Sequence, residues 1–141
     1  AFGSESLFPR DPKLGTRNRQ RLELALMAGD VGIWDVDIRT MKVRDIHPWV
    51  FRTLGYTPAD LPEITIPACK NLVHPLDLPQ VLAAFLAYLP GGHPLLETEF
   101  RLACRDGSWK WVAVRCTVIE RGASKEPVRI TGTINTIAPP G

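Results

Sequence analysis

The sequence predicts an α+β domain: five strands in one antiparallel sheet, short helices packed on one face, and an amphipathic helix ahead of the first strand. Three stretches carry that prediction. Residues 31–38, VGIWDVDI, alternate Trp34, Val36 and Ile38 with Ile33, Asp35 and Asp37, the period of a strand with one polar face. Residues 96–119 read as a long hairpin, with Thr98, Phe100 and Leu102 alternating with Glu97, Glu99 and Arg101 before a reversal at Asp106-Gly107 and a return rich in Trp and Val. Residues 127–137 alternate Val128, Ile130, Gly132 and Ile134 with Arg129, Thr131 and Thr133, which makes a last strand.

The hairpin register depends on its loop. A two-residue reversal sets Cys104 opposite Trp109 and Leu102 opposite Trp111, which gathers Phe100, Leu102, Trp109, Trp111 and Ala113 on one apolar face. A three- or four-residue loop shifts that register.

Residues 1–15 contain Pro9, Pro12 and Gly15 among charges and read as a disordered tether or a cloning remnant. From residue 16 the pattern turns helical, with Leu22, Ala25 and Leu26 on one stripe and Gly29 where a helix ends. After the first strand, Arg39-Thr40 turns into a short strand over residues 41–45. His47-Pro48 opens a helical turn whose inward stripe is Val50, Phe51 and Leu54, with Gly55 as its stop. Thr57-Pro58-Ala59-Asp60 repeats the device as a second helix start. Residues 61–73 are expected to be irregular, since Pro62 and Pro67 limit any helix. Asp77-Leu78-Pro79-Gln80 resembles a capping box, and Val81, Leu82, Phe85, Leu86 and Leu89 follow at helical spacing.

A chain of 141 residues with 45% hydrophobic content fits one domain that buries its own core. Its basic excess sits at the start, where Arg10, Lys13, Arg17, Arg19 and Arg21 face only Glu5 and Asp11. That segment reads as a solvated helix face or linker. The body has no basic stripe with interleaved aromatics, so no nucleic-acid partner is expected. Cys69, Cys104 and Cys116 are odd in number and form no CxxC, which argues against a disulfide framework or zinc site. No apolar run is long enough for a membrane span and the start is too polar for a signal peptide, so a cytoplasmic protein without membrane contact is expected.

The order of elements and several strings resemble the PAS domain, in particular the bacterial subgroup called PAS fold-3. The strings are Gly32-Ile33-Trp34-Asp35, Leu54-Gly55-Tyr56 with Pro58 and Leu61, and Leu72-Val73-His74-Pro75 with Asp77. They continue through Glu99-Phe100-Arg101, Arg105-Asp106-Gly107-Ser108, Trp109, Trp111-Val112 and Gly132-Thr133. The resemblance spans residues 22–137 and makes residues 16–137 the sensor domain, with 138–141 a tail toward an output domain outside this sequence.

The resemblance implies a sensory or signal-relay module of a larger bacterial signalling protein, of histidine kinase (two-component) or diguanylate cyclase type. It implies a homodimer through the N-terminal helix, with Leu22, Ala25 and Leu26 as contacts, and a covalently linked output domain. It also implies a cavity between sheet and helices, for which Trp34, Val36, Val50, Phe51, Leu54, Val81, Phe85, Phe100, Trp111 and Ile130 are the candidate lining. Two departures stand out. The family often ends its last strand in Asp-Ile-Thr where this chain has Thr136-Ile137-Ala138, and Cys69 stands about where the family often has Trp.

Catalytic chemistry finds little support. His47, His74 and His93 are unclustered, so no metal site is expected. Residues 78–89 hold no His for haem, and the Asn-Cys-Arg string of flavin photoreceptors is missing. The expected cofactor is therefore none, or an unknown small molecule, with haem and flavin disfavoured. Cys69-Lys70 suggests either an activated thiol or a buried structural cysteine. No serine occupies a nucleophile elbow. The expectation is a non-catalytic module. The alternatives are a small α+β ligand-binding enzyme with a polar dyad of Asp35 and His74, and a dimerisation domain with a filled core.

Overall fold

The computed structural model describes residues 30–91 and 93–140. The N-terminal tether and the helix expected over 16–28, with Leu22, Ala25 and Leu26, lie outside the described residues. Strands β1 (Val31–Asp37), β2 (Lys42–Arg44), β3 (Leu96–Ala103), β4 (Trp109–Arg121) and β5 (Pro127–Thr136) form one sheet in the order β2-β1-β5-β4-β3, every pair antiparallel. The helices come between β2 and β3: α1 (His47–Trp49), which continues as a π-helical turn over Val50–Leu54, then α2 (Ile66–Leu72) and α3 (Leu78–Tyr88).

Alternation decides what faces the helices. Trp34 and Val36 of β1, Ile130 and Ile134 of β5, Val112, Val114 and Cys116 of β4, and Leu96, Phe100 and Leu102 of β3 belong to one buried cluster. Two glycines make room within it. A Cβ at Gly32 would lie 2.6 Å from Trp49 Cγ, and one at Gly132 would lie 2.7 Å from Trp34 Cζ2. The missing side chain at Gly32 thus accommodates the Trp49 ring, and the one at Gly132 admits both the Arg115 carbonyl of β4 and the Trp34 ring.

The hairpin differs from the two-residue expectation. Cys104 N–H donates to Ser108 O at 2.8 Å and Gly107 N–H to Cys104 O at 3.0 Å, with Gly107 at φ 88°. This is a three-residue loop closed by a left-handed glycine. Ala103 then pairs with Trp109 and Arg101 with Trp111, one residue away from the expected register. A slip of one residue exchanges faces. Val112 therefore joins Phe100 inside, while Trp109 is 45% exposed and Trp111 lies under the Arg101 guanidinium, 5.0 Å from the ring centroid.

Three helical expectations are corrected. Residues 61–73 are not wholly irregular, because Pro67 stands in the first turn of α2, where no N–H is needed, and Thr65 Oγ1 accepts from Ala68 N–H at 3.2 Å. Thr57-Asp60 forms a closed turn and no helix: Asp60 Oδ2 accepts from both Thr57 N–H and Thr57 Oγ1 at 2.9 Å, and its carboxylate meets Arg105 Nε at 2.9 Å. In α3 the stripe against the sheet includes Val81 and Tyr88, and Leu86, expected inside, is 71% exposed on the far side.

Asp77 makes no capping bond to α3. Its carboxylate accepts instead from Arg101, at 2.9 Å from the backbone N–H, 2.8 Å from Nε and 2.7 Å from Nη2. Bonding to that guanidinium, with the backbone N–H bond added, holds the Asp77 carboxyl below its ordinary value of 3.8 against the opposing effect of burial.

Candidate functional site: an apolar cavity between sheet and helices

The sheet's inner face and the helices flank a partly open cavity of about 210 Å³. Trp34, Val36, Phe100, Leu102, Val114 and Ile134 supply its sheet wall, and Val50 and Leu54 reach it from the π-helical turn. Leu72 and Val73 close it from α2 and its end, and Leu78, Val81, Leu82 and Phe85 from α3.

Of the candidate lining residues, Trp34, Val36, Val50, Leu54, Val81, Phe85 and Phe100 are brought together around this space. Phe51, Trp111 and Ile130 are not. Phe51 packs against the core outside the cavity lining and meets the His47 ring edge-on at 5.7 Å. Trp111 lies on the opposite face of the sheet because of the hairpin slip. Ile130 is buried in the packed core but does not reach the cavity.

Trp49, 2% exposed, lines the cavity although no periodic stripe had marked it. Ile64, expected in an irregular stretch, is also there, buried where Val43 N–H bonds to its carbonyl at 2.8 Å. The readable signal for Trp49 was Gly32 in β1, whose missing side chain leaves the indole its place.

The interior presents almost no polarity. Trp34 Nε1 is already committed to Thr133 O at 3.1 Å. Among the described residues no buried side-chain nitrogen or oxygen lacks a hydrogen-bond partner. Half-buried Cys69 lines the wall with its thiol pushed up to about 11, because burial disfavours the thiolate; this is opposite to an activated cysteine. Among the described residues no three His, Cys, Asp or Glu side chains cluster as metal ligands, and no helix is long and apolar enough to cross a membrane.

The proposed polar dyad does not assemble. Asp35 accepts from Arg129 Nη2 at 2.6 Å, on β1. His74 receives Leu76 N–H on Nδ1 at 3.1 Å and meets the Trp109 ring at a 52° tilt, centroids 4.5 Å apart, on the far side of β5 and β4. What the cavity offers chemically is dispersion and exclusion of water, which suits binding of an apolar group.

A five-stranded antiparallel sheet in this order, with its helices gathered on one face over an apolar hollow, defines the class of PAS-type sensory domains. The chain belongs to the PAS fold family, whose match covers residues 44–134.

Solved structures agree. A sensory box histidine kinase/response regulator from Burkholderia thailandensis E264 is 30% identical over 83% of this chain and 84% of its own, with a TM-score of 0.68. The N-terminal domain of a diguanylate cyclase with PAS/PAC sensor from Marinobacter aquaeolei is 22% identical over 75% of this chain and 94% of its own, TM-score 0.64. A domain of a putative light and redox sensing histidine kinase from Haloarcula marismortui is 19% identical over 84% of this chain and 99% of its own, also at 0.64. No curated protein matches the chain.

Proposed function

We propose that this chain is a non-catalytic sensory module of a larger bacterial signalling protein, of histidine kinase or diguanylate cyclase type, and that it binds a small molecule in the cavity between sheet and helices. The observation that carries this reading is the hollow of about 210 Å³ walled by both layers. A dry apolar cavity of about 150 Å³ takes up benzene, so this volume suits a single ring or a short alkyl chain. An occupant touching both layers favours one packing of the helices on the sheet over another. The bias equals its differential affinity for the two packings, about 1.4 kcal/mol per tenfold. Transmission passes to a homodimer through the N-terminal helix and to a linked output domain.

Native mass spectrometry and an absorbance spectrum of freshly purified protein test the proposal. A bound organic mass in the wild type that Ala68→Phe, a change within the wall, removes without lowering the melting temperature supports it. A clean, ligand-free dimer that takes up no apolar probe overturns it in favour of a dimerisation domain with a filled core.

A further inference from the structure

We infer, resting on the cavity reading above, that the occupant is an amphipathic monocarboxylate, its apolar tail inside and its carboxylate at the rim beside Lys70. Two observations set the halves of that molecule. Among the described residues no buried side-chain nitrogen or oxygen is left without a partner, so the inserted part finds no free side-chain group to bond there. Any polar group carried in would lose its water without compensation.

The other half follows from the wall itself. Of the residues that line the cavity, Lys70 is the one with a basic side chain. Lys70 lies in the last turn of α2 and is exposed as a residue while still contributing to the lining. A side chain placed in this way lays its methylene stem along apolar surface and keeps its ammonium in water. An exposed lysine is ordinary; a lysine whose stem is part of a cavity wall keeps its cationic end close to that wall.

Within the described residues that side chain is not engaged in an ion pair, whereas nearby Lys42 meets Glu63 at 3.3 Å. No carboxylate lines the cavity either. An anionic head group therefore gains at the rim, a neutral one is indifferent, and a cationic one is repelled.

Calorimetric titration of the full chain with octanoate, 1-octanol and octylamine tests the inference. The tails match and only the head group differs. Lys70→Met should weaken octanoate by about two- to fivefold, the range of an exposed ion pair, and leave 1-octanol unchanged. Lys70→Glu should weaken octanoate further and strengthen octylamine. Octanoate affinity that neither variant moves relative to 1-octanol overturns the carboxylate assignment and leaves the cavity reading standing. Octanoate binding that survives Ala68→Phe places it outside the cavity and overturns the assignment as well. If none of the three binds the wild type, the cavity reading fails and this inference with it.

Discussion

Asp77 and Arg101 form a two-pronged ion pair, 2.8 Å from Nε and 2.7 Å from Nη2, that fastens the start of α3 to the edge strand β3. Asp77 is 5% exposed and its carboxylate also accepts the Arg101 backbone N–H, so one side chain satisfies both an edge-strand donor and a guanidinium. The same guanidinium covers Trp111 on the outer face. The cavity's α3 wall and the outer face of the sheet are thereby joined through one pair of residues.

Replacing Asp77 with Asn should lower stability by about 1–3 kcal/mol at neutral pH, because charge-assisted bonds are lost and a strand donor is left poorly paired. The pH dependence has a defined sign. A carboxyl held below its ordinary 3.8 contributes stability that is fully present above that value and is lost as pH falls through the lower folded value. Urea unfolding across pH about 5 to 2 should show a flatter loss in Asp77→Asn than in wild type; equal slopes would mean that this pair does not govern acid sensitivity.

Gly32→Ala should be destabilising by about 1–3 kcal/mol or more, since the new Cβ would meet Trp49 Cγ at 2.6 Å and Cβ at 2.7 Å. Combining it with Trp49→Leu should recover part of the loss. Strictly additive melting-temperature changes in the double variant would show that the two residues do not compete for one space.

Trp49→Ala and Trp34→Ala remove buried rings and should each cost about 3–5 kcal/mol. Trp111→Ala should cost distinctly less, because that ring is half-exposed on the other face. Chemical denaturation of the three variants checks the order. A Trp111 variant as damaged as the others would point back to the two-residue hairpin register.

Cys69 should react slowly with iodoacetamide at neutral pH and accelerate about tenfold per pH unit until it approaches its value of about 11. Cys116, with its thiol pushed up to about 12 and buried at 1% exposure, should stay unlabelled in the native state. A cavity ligand should slow Cys69 further. Rapid labelling at neutral pH would contradict the buried, unactivated thiol.

Much of the cavity's wall was legible before any tertiary information. Val50 with Leu54 and Val81 with Phe85 were marked by helical spacing, and Trp34, Val36 and Phe100 by strand alternation. Trp49 escaped because its burial depends on Gly32, a residue from another element, and not on any stripe of its own helix. Asp77 had the local grammar of a cap but was drawn to Arg101, for which a bidentate charged partner offers more than one helix N–H. Pro67 was read as a breaker where it serves as a starter, since proline's meaning depends on which turn of a helix it occupies.

The amino-acid order alone determined the elements that periodicity can express: three long strands, the hairpin with its glycine reversal, the helix before it, and the inward side of the first strand. These are properties of a segment and its solvent. Tertiary structure decided how the segments meet: the three-residue loop that sent Trp109 and Trp111 outward, the glycine gaps that hold two indoles, and the hollow itself. A one-residue slip exchanges every face, and a void is what remains where the shapes of separate elements fail to fill the space between them, so neither is written in any single stretch of chain.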